Sequence, residues 1–410
     1  MRYLVEQGES RLPTIRLEMP ALGRIGSAIV VLTLALGIAF PSAAAEPTAW
    51  PTRAWAESSP EAQGLDAAVL EALNREFAEG KHGYIDGMLV IRNGAVVFEK
   101  SYRHDYDTLF VGKGAPGLYN YFDPEWHPYW KRSPLHTMQS VSKSVTSALV
   151  GLAIQRGEIP GVEVPAMPYF AEFRVPPDPR RDAMTLRQVL TMTTGIAWDE
   201  SSVAYTDPKN NCAVMESRED WVQYVLEQPM AHAPGERWQY NSGATQLLSF
   251  LIKKTTGKEA DDYAKERLFG PLGIEHAWKR TPRGLADTEG GLYLRPRDLA
   301  KLGYLFLKDG VWEGKRILPK GWVKDSTARQ VELDGGGAYG YKWWIAPRKE
   351  PGSPAAYAAV GYGGQLLIVV PDLQLLAVFT GWNIYDQPSL RPFVAKDRVL
   401  AAVKERPKAP

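Results

Sequence analysis

A serine and a lysine three residues apart stand at the start of an apolar stretch of the chain. Ser140-Val141-Ser142-Lys143 opens residues 140–157, whose apolar positions recur at helical spacing. On a helix, Ser140 and Lys143 share one face and lie one turn apart. A lysine beside a serine hydroxyl can take its proton if desolvation lowers the lysine pKa, and the N–H groups at the helix start favour a developing oxyanion. The pattern predicts a nucleophilic serine, although about one or two such pairs arise by chance in a chain this long.

Other chemistries find less support. The chain has no G-x-S-x-G elbow, which disfavours the α/β-hydrolase arrangement, and Gly335-Gly336-Gly337 lacks the Lys-Ser/Thr of a phosphate loop. The lone Cys212 can form neither an internal disulfide nor a cysteine-based zinc site, and we expect it to be a buried side chain that packs in the core. The histidines show no metal-binding spacing: His82, His104, His127, His136, His232 and His276. We therefore predict no metal and no organic cofactor.

Composition limits the partners. The chain has 410 residues, with 48 Lys plus Arg against 47 Asp plus Glu, and is 45% hydrophobic and 23% charged. These values are typical of a globular protein rather than a disordered or fibrous one. The near-zero net charge shows no excess of basic residues that would attract the phosphates of nucleic acid. The expected partner is a small molecule.

The N-terminal segment predicts export. Residues 25–41 are apolar, Arg24 precedes them, and Ala43 and Ala45 are the small residues that a signal peptidase requires, so cleavage is expected after Ala45. A transmembrane anchor is the alternative, but the run is short for a full span. Residues 1–18 mix arginines with glutamates, which favours Met19 as the true start. The mature protein is then residues 46–410, periplasmic or secreted.

The elements that must position the serine come from both ends of the chain. A helix is predicted over 64–79, followed by strands 86–92 and 95–102 around Asn93-Gly94, a strong hairpin signal. Helical stretches are predicted at 184–192, 219–227, 244–256, 259–268 and 296–308, strands at 338–346, 356–361, 364–370 and 374–381, and a closing helix at 392–405. The fold class is α/β: an antiparallel sheet built from both chain ends, flanked by helices, with a mostly helical insertion at about 158–335. We treat residues 46–410 as one catalytic unit.

In this context the serine motif resembles that of the penicillin-recognising serine hydrolases, the class C β-lactamase, D-Ala-D-Ala peptidase and esterase group. The similarity rests on ordered motifs over about residues 55–400: Met138-Gln139-Ser140-Val141-Ser142-Lys143-Ser144, 184–195 (MTLRQVLTMTTG), 234–242 (PGERWQYNS), Gly290-Gly291-Leu292 and Arg297-Asp298-Leu299-Ala300. The ordered combination is more specific than any one motif. The resemblance implies a β-lactamase-like fold.

The resemblance also implies roles for individual residues. Ser140 corresponds to the acyl-accepting nucleophile, Lys143 to its proton partner, and Tyr240 to a second acid/base whose pKa Lys143 could lower. If Gly361 is the glycine of the family's Lys/His-Thr-Gly strand, the N–H groups of Tyr362 and Ser140 form the oxyanion hole. Gly361 would then let the substrate backbone approach the strand closely.

Two departures from the family pattern bear on the substrate. Ala359 and Val360 occupy the Lys/His and Thr positions and cannot bind a carboxylate, and Ser242 replaces the usual third-position Asn of the tyrosine motif. These features look closer to the esterase and 6-aminohexanoate-dimer hydrolase branch. We therefore expect an exported serine hydrolase acting on an ester or amide. The alternatives are a D-Ala-D-Ala carboxypeptidase or β-lactamase, and a non-catalytic binding module of the same fold.

Substrate contacts are predicted in the loop after Thr194-Gly195 and beside the glycine strand. Tyr205 is one such residue, and Asp199 or Glu200 is predicted to bind an ammonium or amide group. The alternative is that both carboxylates belong to a solvated acidic turn. Ser242, Gly361 and Gln365 complete the set, with Gln365 bonding to substrate or bracing the oxyanion hole. The aromatic loop 117–130 either forms a wall of the substrate cleft or only packs against the rest of the protein.

Overall fold

The computed structural model describes residues 50–114, 121, 126–348, 350, 352–384, 388 and 390–404. The predicted secretory signal, its cleavage point after Ala45 and the Met19 start lie outside the described residues. Most of the aromatic loop between 117 and 125 also lies outside them; Tyr121 and residues 126–130 are described.

The described residues form fourteen strands. They are β1 (Ala56–Glu57), β2 (Ile85–Arg92), β3 (Ala95–Ser101), β4 (His136–Thr137), β5 (His276–Trp278), β6 (Leu292–Leu294), β7 (Val311–Trp312), β8 (Lys315–Arg316), β9 (Val331–Glu332), β10 (Ala338–Tyr339), β11 (Trp344–Ile345), β12 (Tyr357–Gly361), β13 (Gln365–Val370) and β14 (Leu375–Gly381).

The α-helices include two long ones that carry site residues at or just before their first turns. They are α1 (Ala67–Ala78), α2 (Tyr106–Leu109), α3 (Val141–Gln155), α4 (Pro179–Asp182), α5 (Leu186–Thr191), α6 (Asn211–Glu216), α7 (Trp221–Glu227), α8 (Ser242–Thr256), α9 (Ala260–Ala264), α10 (Gly270–Leu272), α11 (Pro296–Leu307), α12 (Trp322–Ser326) and α13 (Pro392–Leu400).

The main sheet joins the two ends of the chain, as predicted. In the described residues its order is β1-β3-β2-β14-β13-β12-β11-β10-β9. All neighbouring strands are antiparallel except β1 and β3. The β2–β3 hairpin turns at Asn93 and Gly94, whose φ angles of 52° and 81° are the positive values that a type I′ turn requires. The α/β fold class and the sheet built from both ends are confirmed.

The central strands are buried on both faces, so each face carries its own apolar core. On β2, Leu89 and Ile91 face one core with α3 and α11, while Met88 and Val90 face the other with α1 and α13. This period-two alternation explains why β2 reads as a continuous apolar run. Each fully buried large aliphatic side chain contributes about 1.5–3 kcal/mol to these cores.

The segment between the two sheet halves is mostly helical. Helices α3 and α8 pack against each other there, and α3 also contacts β12. A smaller sheet, β4-β6-β5, lies beside the start of α3 and ties the strand before Ser140 to the segment after Gly291. Among the described residues, none of the helices is both long and apolar enough to cross a bilayer.

Several predicted boundaries are wrong. Residues 338–346 form two strands, β10 and β11, because the chain turns at Lys342, whose φ is 63°. The helix predicted over 259–268 gives way to a π-helical turn at Lys265–Phe269, and the closing helix ends at Leu400. The first helix begins at Ala67 because the Asp66 side chain caps it by accepting a hydrogen bond from Ala68 N at 2.9 Å.

Candidate active site

Ser140 lies in a tight turn between β4 and α3. The preceding residue, Gln139, has a φ of 47°, a left-handed backbone conformation that residues other than glycine rarely adopt. The turn is held by Met138 N, which donates to Leu292 O at 2.8 Å, and by Ser142 Oγ, which donates to Gln139 O at 2.6 Å. Strained backbone of this kind is often found at functional sites. The turn presents Ser140 as the N-cap of a long buried helix, at the positive end of its dipole.

Lys143 is one turn further along α3 and is buried. Its Nζ lies 2.8 Å from Ser140 Oγ, 2.8 Å from the carbonyl oxygen of Glu289 and 3.0 Å from Glu289 Oε2. An ammonium has three N–H donors and no acceptor, so these contacts occupy all three. The predicted pairing of Ser140 with Lys143 is therefore present, together with a carboxylate that the sequence motifs did not assign.

The charges around Lys143 bear on its predicted role as a proton acceptor. Burial acts to lower the pKa of Lys143, but the electrostatic effects of Tyr240, Glu289 and Glu200 outweigh burial and raise the pKa well above its usual value. The direction of this shift favours an ammonium that donates a hydrogen bond to Ser140 Oγ. The role of Lys143 as the proton partner of Ser140 stays a prediction.

Tyr240 supplies the second polar contact to Ser140. It directly precedes α8, whose N-cap Asn241 accepts a hydrogen bond from Ala244 N at 2.8 Å. The Tyr240 and Ser140 hydroxyls are hydrogen-bond partners, and Lys143 Nζ lies 5.3 Å from the Tyr240 ring centroid. Burial raises the pKa of Tyr240, while the Lys143 charge opposes that shift, so the expected lowering by Lys143 is present but smaller than the effect of burial.

The end of β12 abuts the nucleophile turn. A Cβ built on Gly361 would lie only 2.3 Å from the carbonyl oxygen of Met138, so no other residue fits there without displacing the backbone. The N–H of Tyr362 follows directly. This close approach brings the two predicted oxyanion-hole residues, Ser140 and Tyr362, to the same cavity.

Gln365 is buried and braces this strand end. Its Nε2 donates to Tyr362 O at 3.0 Å and to Gly381 O at 2.6 Å, and its Oε1 accepts from Gly381 N at 3.2 Å. Both ends of the amide are therefore engaged with backbone. Of the two roles predicted for Gln365, the structure favours bracing over contact with substrate.

A cavity of about 340 Å³ opens beside Ser140. Its walls are largely apolar and aromatic, and the exposed Arg391 lies at its edge. It is lined by Ser140, Tyr205, Tyr240, Trp344, Val360, Gly361, Tyr362, Gly363, Gly364, Leu366, Asn383, Leu390, Arg391 and Pro392. Ala359 is buried and is absent from this wall.

Tyr205 and Tyr362 separate this cavity from a neighbouring one of about 500 Å³. Their ring centroids are 5.3 Å apart, and the Tyr362 hydroxyl donates to Ile384 O at 2.6 Å. From the aromatic loop, Tyr121 packs 5.3 Å from the Tyr362 ring and 5.8 Å from Trp382. Tyr121 therefore packs on Tyr362 and lines the neighbouring cavity, while no described residue of the loop lines the cavity beside Ser140.

The two acidic candidates have different surroundings. Asp199 accepts hydrogen bonds from Ser201 N and Ser202 N, which makes it a turn-forming carboxylate, and it is not among the described residues that line either cavity. Glu200 is buried and accepts hydrogen bonds from Ser242 N at 2.9 Å, Ser242 Oγ at 2.8 Å and Trp198 Nε1 at 2.6 Å. Ser242 is thus directed to Glu200, and burial raises the pKa of that carboxyl.

Glu289 is the site residue that the sequence analysis did not single out. It directly precedes Gly290-Gly291, a quoted motif, but one glutamate in that position gave no signal of its own. Its carboxylate also lies in the one group of potential metal ligands found among the described residues, with Cys212 and Glu216. Burial raises the pKa of the Cys212 thiol, which disfavours the thiolate that binds metals, and Glu289 is already paired with Lys143.

Comparisons with known proteins fit this geometry. A family model described as Beta-lactamase matches residues 73–381. The 6-aminohexanoate-dimer hydrolase of Paenarthrobacter ureafaciens is 26% identical over 288 residues, covering 65% of this chain and 69% of that protein.

Solved structures share the fold at low sequence identity. A family VIII carboxylesterase superposes with a TM-score of 0.60 at 13% identity, covering 85% of this chain and 98% of that one. A penicillin binding protein from Bacillus halodurans superposes with a TM-score of 0.57 at 15% identity, covering 81% and 99%. Because the family model spans well over half of the sequence and includes the Ser140 turn, this chain belongs to the beta-lactamase family of serine hydrolases.

Proposed function

We propose that this protein is an exported hydrolase that cleaves an ester or amide bond through an acyl-enzyme on Ser140. The observation that carries the proposal is the position of the Ser140 hydroxyl. It contacts both the Lys143 ammonium and the Tyr240 phenol at the edge of a cavity. A nucleophile bonded to a proton acceptor beside a space for the acyl group is the arrangement that acyl transfer needs.

The chemistry follows from these contacts. Ser140 Oγ attacks the carbonyl carbon while its proton passes to the Lys143–Tyr240 pair. The electron pair displaced onto the carbonyl oxygen is held by the N–H groups of Ser140 and Tyr362. Tyr240 then gives the proton to the leaving group. The phenolate that remains takes a proton from water, the hydroxide attacks the acyl carbonyl, and Tyr240 returns the proton to Ser140 Oγ as the acyl–oxygen bond breaks.

The cavity supports an uncharged acyl group. Val360, Leu366 and Leu390 supply apolar surface beside Ser140. A carboxylate placed against this wall would lose hydration without gaining a partner. The names of two similar proteins, 6-aminohexanoate-dimer hydrolase and family VIII carboxylesterase, also support an ester or a linear amide as the substrate.

Arg391 favours a second candidate, a β-lactamase or D-Ala-D-Ala carboxypeptidase. It is exposed at the rim of the cavity, where its guanidinium could pair with a substrate carboxylate. Turnover of nitrocefin compared with p-nitrophenyl esters and short linear amides separates the two functions. We expect ester or amide turnover to dominate; nitrocefin turnover that is faster, and lost in Arg391→Ala, would favour the second candidate.

A fluorophosphonate probe tests the nucleophile directly. Intact-mass measurement should show one adduct on the wild-type protein and none on Ser140→Ala. Ser147→Ala is the matched control, because Ser147 is another buried serine of α3 outside the cavity, and it should be labelled like the wild type. An unlabelled wild type, or equal labelling of Ser140→Ala, would favour a non-catalytic binding module instead.

Export is tested separately from catalysis. Expression of the full chain in a bacterial host, followed by fractionation and intact-mass measurement, should recover from the periplasm or medium a protein that begins at Glu46. A protein retained in the cytoplasm with its N-terminal segment intact would contradict the export part of the proposal and leave the catalytic part standing.

A further inference from the structure

A second cavity lies against the aromatic loop, on residues that the proposed reaction does not use. Its volume is about 770 Å³, within the roughly 300–1,000 Å³ typical of small-molecule sites. Among the described residues, its lining and that of the cavity beside Ser140 have no member in common. Six aromatic side chains take part in the lining: Trp126, Tyr129, Trp130, Trp221, Trp278 and Tyr293.

The aromatic rings come from separate segments of the chain and are held in place by their neighbours. Trp130, from the aromatic loop, packs on Tyr293 of β6 with the ring centroids 5.1 Å apart, and Lys279 Nζ lies 3.4 Å from the centroid of the Trp126 ring. Trp126 and Trp130 are only half-buried, so part of each indole remains accessible in the cavity. The electron-rich faces of such rings provide flat apolar surface for the C–H groups of a ligand.

The polar residues of this lining carry both signs of charge. Lys131 and Arg280 are exposed cations, and Asp287 is a buried carboxylate. Asp287 Oδ1 accepts hydrogen bonds from Gly290 N at 2.9 Å and from Glu289 N at 3.2 Å, whereas Oδ2 has no hydrogen-bond partner among the described residues. One acceptor atom of this buried carboxylate is therefore available to a ligand.

The mixture of charges decides which kind of ligand fits. An anion would lie against Asp287 and Glu216, and a cation would lie against Lys131, Arg132 and Arg280. An uncharged hydroxyl group donates to a carboxylate and accepts from an ammonium or a guanidinium, so it suits both kinds of residue. A pyranose ring joins several hydroxyl groups to an apolar face of C–H groups, which complements the indole surfaces.

We propose that this cavity is a saccharide-binding site, separate from the catalytic cavity, in which Trp126 and Trp130 stack on pyranose rings and Asp287 accepts a hydrogen bond from a sugar hydroxyl. The inference goes beyond the proposed function and does not depend on it, because no residue of this lining takes part in the proposed reaction. A saccharide bound there leaves the cavity beside Ser140 open to its own substrate.

Isothermal titration calorimetry with maltotriose, cellotriose and chitotriose tests the site. At least one of the three should bind saturably at millimolar concentration, whereas sodium phosphate and tetramethylammonium chloride should not. Trp130→Ala should weaken that binding about tenfold, and Lys131→Gln, a change at an exposed position, about threefold. Trp344→Ala is the matched control, because Trp344 is a half-buried tryptophan that lines the cavity beside Ser140, and it should keep the wild-type affinity. Thermal unfolding of each variant confirms that it is folded.

Several outcomes would overturn the proposal. One is an affinity that is unchanged in Trp130→Ala, or that falls as much in Trp344→Ala as in Trp130→Ala. Another is the absence of binding by all three saccharides, or equal binding of phosphate or tetramethylammonium. Ser140→Ala should bind the saccharide like the wild type, because Ser140 is outside this lining. A protein that binds the saccharide but lacks hydrolase activity would refute the proposed function alone.

Discussion

Gly361, at the end of β12, lies against Met138 in the nucleophile turn, so closely that a Cβ on Gly361 would lie 2.3 Å from the Met138 carbonyl oxygen. The contact joins residues from opposite halves of the chain, one just before Ser140 and the other just before Tyr362. It therefore sets the spacing between the two N–H groups proposed to hold the oxyanion.

Substituting Gly361 should disturb the oxyanion hole more than the fold. In Gly361→Ala the new methyl must push β12 away from the nucleophile turn, and loss of one oxyanion donor typically costs about 10²–10³ in kcat. We expect kcat for a p-nitrophenyl ester to fall by that order, with KM changing less. Gly337→Ala, on the edge hairpin with 3.3 Å of clearance, is the control and should retain kcat. Equal kcat in both variants would remove Tyr362 from the oxyanion hole.

Removing the Tyr240 hydroxyl should slow catalysis without unfolding the protein. Tyr240→Phe keeps the ring stacked on Trp344 at 5.9 Å but removes the group bonded to Ser140. General acid/base groups typically contribute about 10²–10⁴-fold, so kcat/KM should fall by that order. Tyr357→Phe, a buried tyrosine on β12 away from the cavity, should keep wild-type kcat/KM. If Tyr240→Phe retained full activity, the proton would have to leave by another route.

Lys342 is a buried lysine whose removal should stabilise the protein. Its Nζ donates to the Met192 sulfur at 3.3 Å, and burial together with the Lys143 charge holds its pKa well below the usual value. At neutral pH the unfolded chain therefore binds a proton that the folded chain does not, which costs stability; this cost disappears above about pH 10.4 and grows as pH falls toward the folded pKa.

Lys342→Met should accordingly raise the free energy of unfolding at pH 7 by on the order of 1 kcal/mol. The gain should shrink when the comparison is repeated near pH 10. Lys324→Met, an exposed lysine on α12, is the control and should change stability little at either pH. Denaturant melts at both pH values provide the measurement, and a destabilised Lys342→Met at pH 7 would show that the amine is needed for packing.

The contact between α1 and α13 should be sensitive to acid. The hydrogen bond from Arg398, helped by His82, lowers the pKa of Glu76 from 4.5 to about 2. A lowered carboxyl pKa contributes stability that is present above pH 4.5 and is lost as pH falls toward about 2. The pair is partly exposed, with side-chain exposures of 25% for Glu76 and 38% for Arg398, so it contributes only modestly to the free energy of unfolding.

Glu76→Gln should lower the free energy of unfolding at pH 7 by about 0.2–1 kcal/mol, and the difference from the wild type should narrow between pH 4.5 and pH 3. Glu79→Gln, which removes a more exposed partner of Lys81, is expected to have a smaller effect. Urea melts across this pH range measure the difference. A gap that stays constant with pH would mean that packing, rather than the carboxylate charge, links Glu76 to α13.

Local sequence determined the parts of the site that depend on helix and turn geometry. Three-residue spacing on a helix is enough to place Lys143 beside Ser140, and Asn93-Gly94 is enough to predict the β2–β3 turn. The resemblance of ordered motifs predicted Tyr240 and Gly361 in the same site, because residues of a shared fold keep their positions. The strand alternation likewise predicted a sheet assembled from both ends of the chain.

Tertiary structure alone decided the electrostatics. The contacts of Glu289 with Lys143 and of Glu200 with Ser242 join segments 146 and 42 positions apart, and no local pattern encodes which loop carboxylate reaches which donor. The charge state of Lys143 could not be predicted from the sequence for this reason. A lysine pKa depends on the balance between burial and charges brought in by distant segments, and here the electrostatic effects of Tyr240, Glu289 and Glu200 outweigh burial.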